Sequence, residues 1–319
     1  MPLRPEDLDF RAKLPDIPSS IDVLETTTPS YEERKPAISL FSERLQLGDL
    51  RRAELPFGPV FAGPRGEVHY FAASGSLFIR SAAISGQFKS EERPWRTLER
   101  TQAGDETLYV LPPAESERLA SEAYAMLGEG RLLTENIATA AVELDQWAQL
   151  SADGKVMGSG GGTATVKFPY FVDGMPVAGG GAKSLVYAEP VSGQPVISGL
   201  FHAWRPVGSR STISLGSIES VLAASLLSDP ELILCARRGE RVRINHLSLC
   251  YLALPAFTAQ RHLFPALQVE ASYVRAKDNF EMRFAKYVPA ATTRQYASAG
   301  VFAHYLHSPT EDRAASAVG

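Results

Sequence analysis

Gly174-Met175-Pro176-Val177-Ala178-Gly179 answers Gly58-Pro59-Val60-Phe61-Ala62-Gly63, and this internal correspondence organises the chain. Beyond each copy a further glycine precedes an apolar triplet: Gly75 before Leu77-Phe78-Ile79, and Gly193 before Pro195-Val196-Ile197. Ahead of the first copy, Ser30 and Glu33 have capping-box spacing. Ile38, Phe41 and Leu45 then recur on one helical face, which predicts a helix from Tyr31 to Leu47 with Pro36 in its early turns. Strand-like runs follow at 51–57, 67–73 and 77–84, separated by glycines and the Ser74-Gly75-Ser76 turn. The same order returns. Leu119, Ala123 and Leu127 mark a second helix, and strand-like runs follow at 137–150, 163–172, 182–189 and 196–205, with Asp153-Gly154 as a hairpin turn.

A third unit opens at Ser217, where Ile218, Val221, Leu222 and Leu226 form a helical stripe. Its strands alternate: Leu263, Leu267, Val269, Ala271 and Tyr273 face one way while Gln268, Glu270 and Ser272 face the other, and Phe280, Met282 and Phe284 repeat the pattern. The expected fold class is α+β, built from repeated helix-plus-antiparallel-meander units. The expected organisation is an extended Pro-rich arm over 1–30, units over 31–110, 111–210 and 211–290, and a C-terminal segment with a disordered tail over 291–319.

Phe171-Val172-Asp173-Gly174-Met175-Pro176-Val177 with Gly179-Gly180-Gly181, then Gly193 and Trp204-Arg205-Pro206, resembles the repeat of PepSY-type propeptide domains and related two-component accessory proteins. Leu249-Cys250-Tyr251-Leu252 followed by His262 to Leu267 is similar to the closing strands of such units. The resemblance spans about residues 115–290. It implies a cystatin-like sheet curved around a helix and a protein-interaction or inhibitory role.

Composition narrows the function. The 319 residues are 45% apolar and 21% charged, as in ordinary folded proteins, and their net charge of -4 has the wrong sign for a dedicated nucleic-acid or anionic-membrane partner. No run of apolar residues is long enough to span a bilayer, and the N-terminal residues lack the apolar stretch of a secretory signal, so the expectation is a cytoplasmic protein without membrane insertion. A sequence already trimmed of a signal would read the same way, and would then be secreted. Cys235 and Cys250 lack the paired spacing of a zinc site.

Familiar catalytic motifs do not occur. Gly158-Ser159-Gly160-Gly161-Gly162 and Gly179-Gly180-Gly181-Ala182-Lys183-Ser184 invite a phosphate-loop reading, but neither has the full glycine spacing and each falls between strands, which favours hairpins. His304 and His307 have the spacing of a helical metal pair without an acidic third ligand, so neither a metal nor a cofactor is expected. The candidates are polar residues set among apolar strand neighbours. His202 is in phase with Leu200 and Trp204, and His246 with Val242 and Ile244; each is either a proton-transfer group or a satisfied core histidine. Glu143 and Asp145 share a strand face, where two close carboxylates can raise one pKa for acid-base work or simply be solvated. Arg205 can bind a carboxylate or cap the Trp204 indole.

The first expectation is therefore a small-molecule-binding protein, or a cofactor-independent enzyme of cyclase or isomerase type. Its pocket would be cone-shaped and take an apolar metabolite, with His202, His246, Glu143 and Asp145 as catalytic candidates and Tyr170, Trp204, Arg205 and Tyr273 as ligand contacts. The alternative is a PepSY-like interaction module whose sheet edges accept a partner strand. A structural or assembly role comes third, with the N-terminal arm embracing a neighbouring copy in a homo-oligomer.

Overall fold

A computed structural model of the chain describes residues 3–85, 95, 98–103, 106–153, 155–224, 226–275 and 280–299. Strands β1 (Leu8–Phe10) and β2 (Ser20–Thr26) precede helix α1 (Tyr31–Arg44). Then come β3 (Arg51–Leu55), β4 (Gly58–Gly63), β5 (Gly66–Phe71), β6 (Ser76–Ser81) and the single turn α2 (Ala82–Ser85). A small hairpin, β7 (Glu99–Ala103) and β8 (Glu106–Val110), leads to α3 (Pro113–Glu129). The middle of the chain is nearly all strand: β9 (Ala141–Leu150), β10 (Val156–Val172), β11 (Met175–Ala178), β12 (Lys183–Val191), β13 (Gln194–Ala203) and β14 (Val207–Ser214). Two helices, α4 (Ile218–Ala224) and α5 (Pro230–Arg237), precede β15 (Arg241–Leu252), β16 (His262–Val274), β17 (Glu281–Pro289) and α6 (Thr293–Ser298).

The expectation of an α+β, cystatin-like fold is overturned. Of the described residues 48% lie in strands and 22% in helices, and 15 strands belong to one large mixed sheet. Its main path runs β14-β2-β16-β15-β11-β10-β12-β13-β6-β5-β4-β3, with β1, β9 and β17 paired off it. The reason is edge chemistry. The strand that closes one meander leaves a row of unpaired amides and carbonyls, and the cheapest way to satisfy them is another strand. Here β6 pairs antiparallel with β13 through Leu77–Arg80 and Gly199–His202, and β11 runs parallel to β15 through Val177–Tyr251. Hydrophobic periodicity reports that a strand exists and which face is apolar, not which distant edge it finds.

Strand β10 joins the two halves. Its 17 residues pair with β9 and β12 up to Pro169, and its last three, Tyr170 to Val172, pair with β11. The glycine run inside it serves packing: Gly160 carries the indole of Trp147 against its backbone, and the Trp95 indole donates to the Gly162 carbonyl at 2.9 Å. The residues expected as an extended arm contribute β1, parallel to β15, and β2, between β14 and β16.

One face of the first half is covered by two helices. Helix α1 opens with a capping box in which the Glu33 amide donates to the Ser30 hydroxyl at 3.3 Å and the Ser30 amide donates to the Glu33 carboxylate at 2.6 Å. Ala37 and Phe41 of α1 and Leu119, Ala123 and Leu127 of α3 then pack on Val68, Ile79, Val166, Val186 and Leu200 of the sheet. Each large apolar side chain so buried contributes roughly 1.5–3 kcal/mol. A second core forms where Val221, Leu232 and Cys235 meet Val242, Ile244, Leu267 and Val269. No described helix is long and apolar enough to cross a membrane. His304 and His307, and the last 20 residues, lie outside the described residues.

Candidate functional site

Four of the eight sequence candidates converge, and they converge inside the protein. His202 on β13 is 1% exposed. Cross-strand register sets Ser184 of β12 directly opposite it. The Ser184 hydroxyl lies 2.8 Å from His202 Nδ1 and 2.7 Å from the Tyr170 hydroxyl, so a hydrogen-bonded chain crosses three adjacent strands. The Tyr170 ring stacks on Trp204 with centroids 4.3 Å apart. Arg34, reaching in from α1, donates to the Trp204 carbonyl at 3.1 Å and to the Gly75 carbonyl at 2.8 Å. Burial, with the Arg34 charge adding to it, holds the His202 pKa well below the usual imidazole value, and burial pushes the Tyr170 phenol up to about 12. The hydrogen-bonded chain ties β10, β12 and β13 together, while His202 Nε2 is buried without a hydrogen-bond partner among the described residues. Arg205, next in sequence to Trp204 and equally buried, donates to the Thr258 carbonyl at 2.6 Å and the Leu254 carbonyl at 3.3 Å of the loop after β15.

The other four are dispersed. His246 is exposed on β15, opposite Glu270. A register shift between Ile244 and His246 inserts one residue, so the period-two phase that aligns His246 with Val242 and Ile244 is reset. His202 and His246 therefore line no common pocket. Glu143 is exposed and paired with Lys167 on the neighbouring strand. Tyr273 packs on Phe284 and donates to the Met282 sulfur at 3.0 Å. Asp145 alone borders a cavity.

That cavity, about 210 Å³, opens on the sheet face opposite α1 and α3 and is lined by Phe78, Arg80, Asp145, Thr163, Tyr187, Glu189, Ser198 and Gly199. Two irregularities make the hollow. The pairing of β12 with β13 shifts register beyond Tyr187, leaving Ser198 as an extra residue, and β10 shifts register against β9 between Gly161 and Ala164. Bulges bend strands locally, and Gly199 adds no side chain to fill the depression. A Cβ at Gly199 would stand 2.7 Å from the Ile79 carbonyl oxygen on β6. Gly199→Ala is therefore expected to spread β13 from β6 and cost about 1–3 kcal/mol, read as a lowered denaturant midpoint. An unchanged midpoint would show that the seam accommodates the methyl group.

The chemistry of the cavity centres on Glu189. It is 6% exposed; one carboxylate oxygen accepts from the Thr163 hydroxyl at 3.0 Å, and the other, fully buried, has no hydrogen-bond partner among the described residues. Burial raises its pKa above the ordinary carboxyl value, the Thr163 hydroxyl and Arg80 oppose the rise, and Asp145 reinforces it. Burial and the Asp145 charge likewise raise the Tyr187 phenol. Sequence reasoning pairs Asp145 with Glu143; the fold pairs its charge with Glu189, 44 residues away. Glu189 within Tyr187-Ala188-Glu189-Pro190 is a carboxylate in a buried strand, and that signal was available.

A larger cavity of about 330 Å³ lies at the mouth between the helices and the sheet, with Arg44, Gln46, Arg65 and Glu122 above a floor of Met126 and Ile197. Its polar groups are engaged locally: Arg44 with Glu129 at 2.7 Å, Arg65 with Gln46 at 3.2 Å, and Glu122 with Arg118 at 3.3 Å.

No protein-family model and no curated protein sequence matches this chain. Among solved structures, the fold is similar to the crystal structure of an uncharacterized protein from Eubacterium rectale, with a TM-score of 0.51 and 11% identity over 86% of this chain and 85% of that one. At that identity the likeness concerns the fold alone.

Proposed function

We propose that the protein binds a small organic molecule in the hollow over Glu189. The observation that carries this reading is the buried Glu189 carboxylate with one oxygen lacking a donor. A buried carboxylate is stabilised when its oxygens are hydrogen-bonded, and where the group lines a hollow an ordered water or a bound ligand supplies the missing donor. Phe78 and Tyr187 supply apolar wall, and Asp145, Thr163 and Ser198 supply polar contacts, the mixture typical of ligand sites. The ligand is bound for its polar group as much as for its apolar surface. Peptide docking on the open edge has less support, since β3 carries Arg51, Arg52 and Glu54, all exposed, and such charges guard an edge.

A fragment library screened by protein-observed NMR tests the reading. The expected result is a set of mutually competing fragments that perturb the amides of Tyr187, Glu189 and Gly199 and lose binding in Glu189→Gln. Fragments that bind only elsewhere, or equally well to the variant, would overturn it.

A further inference from the structure

The hollow over Glu189 has a charge imbalance that selects among ligands. Among the described lining residues, Asp145 and Glu189 face one cation, Arg80. The site therefore carries an excess of negative charge around a carboxylate oxygen that lacks a donor. Three classes of ligand can be compared. An anion meets two carboxylates at close range and is repelled. A hard divalent cation is held by a cluster of acidic or imidazole ligands, and among the described residues no group of three or more His, Cys, Asp or Glu side chains could hold one; two walls of the hollow are instead the aromatic rings of Phe78 and Tyr187. An organic ammonium fits both features. It brings three N–H donors for the carboxylates, and its charge is attracted to aromatic faces.

Resting on the reading of this hollow as the binding site, we propose that the ligand is a small organic molecule anchored by a protonated primary amine held between Asp145 and Glu189 beside Phe78 and Tyr187. The cavity, about 210 Å³, is below the roughly 300–1,000 Å³ of sites for drug-sized ligands, so the amine carries a short chain or single ring.

The test is NMR titration of the full chain with three probes of matched size, n-butylammonium, n-butanol and butyrate, at constant ionic strength. Butylammonium is expected to saturate shifts at Tyr187, Glu189 and Gly199 and to move the Glu189 carboxyl carbon, while butyrate leaves them unmoved. Asp145→Asn, at an exposed position that does not threaten folding, is expected to weaken butylammonium about tenfold, and Glu189→Gln to weaken it further. Butanol binding in the hollow as well as butylammonium does, with loss in Glu189→Gln, would overturn the amine and leave the site standing. If none of the three probes perturbs the hollow, and the fragment screen maps nothing there, the site and the amine fall together. Undiminished butylammonium binding in Asp145→Asn would also overturn the amine.

Discussion

Replacing Arg205 by Met is expected to destabilise the protein by about 3–5 kcal/mol, the largest effect of any single polar substitution considered. The guanidinium is 1% exposed and spans two backbone carbonyls, Leu254 and Thr258, of the loop that follows β15. Hydrogen bonds from a charged donor contribute about 1.5–3 kcal/mol each, and removing the donor deprives both carbonyls of this half-buried loop of it. The same loop is held by Gln260, whose side chain accepts from the Leu254 amide and donates to the Leu252 carbonyl, both at 2.8 Å. It also meets the first half of the chain through Ser74, which donates to the Ala256 carbonyl at 2.5 Å. Gly181 lies so close that a Cβ there would overlap the Leu254 carbonyl and crowd the guanidinium. Arg205→Lys should recover little, because a single ammonium cannot span two carbonyls as the planar fork does. Denaturant unfolding of both variants checks this, and a loss below about 1 kcal/mol in Arg205→Met would show that the loop is held without it.

The second large effect concerns pH. Burial depresses the His202 pKa in the folded state, whereas in the unfolded chain it titrates near 6.5. Above that value both states carry a neutral imidazole and the contribution is at its full value. As pH falls below it, the unfolded state takes up a proton that the folded state refuses, so stability is lost, by up to about 1.4 kcal/mol per pH unit, until the depressed folded pKa is reached. His202→Gln removes the titrating group. Its stability is expected to be lower than the parent's at pH 7 because the Ser184 contact is altered, with the parent's advantage shrinking steadily between pH 6.5 and 5. Parallel pH profiles for the two proteins would mean that His202 is not protected from protonation as its burial requires.

Local chemistry was readable in the sequence wherever a few neighbouring residues decide the outcome. Ser30 and Glu33 specify the start of α1, and Leu119, Ala123 and Leu127 specify the buried stripe of α3, because capping and helical periodicity act within one or two turns. His202, Tyr170 and Trp204 were recognisable as polar and aromatic residues on an apolar strand face, and Ser184 as the link between them was not, since register between β12 and β13 depends on a turn and a bulge. The bulges themselves defeat period-two reasoning: one exposes His246, another sets Glu189 and Gly199 around a hollow. The pairing of β6 with β13, which merges two meanders, is settled by long-range geometry that no window of neighbouring residues contains.

The position of β2 has a consequence for synthesis. Residues Ser20–Thr26 pair only with β14 and β16 among the described strands, elements that begin at Val207 and His262. On a ribosome adding roughly 5–20 residues per second, an apolar strand including Ile21, Val23 and Leu24 leaves the exit tunnel and waits on the order of ten seconds or more before either neighbour exists. During that interval its backbone donors and acceptors are open to any other strand nearby. Slowing translation between β2 and β14 is therefore expected to raise aggregation without altering the stability of the finished protein.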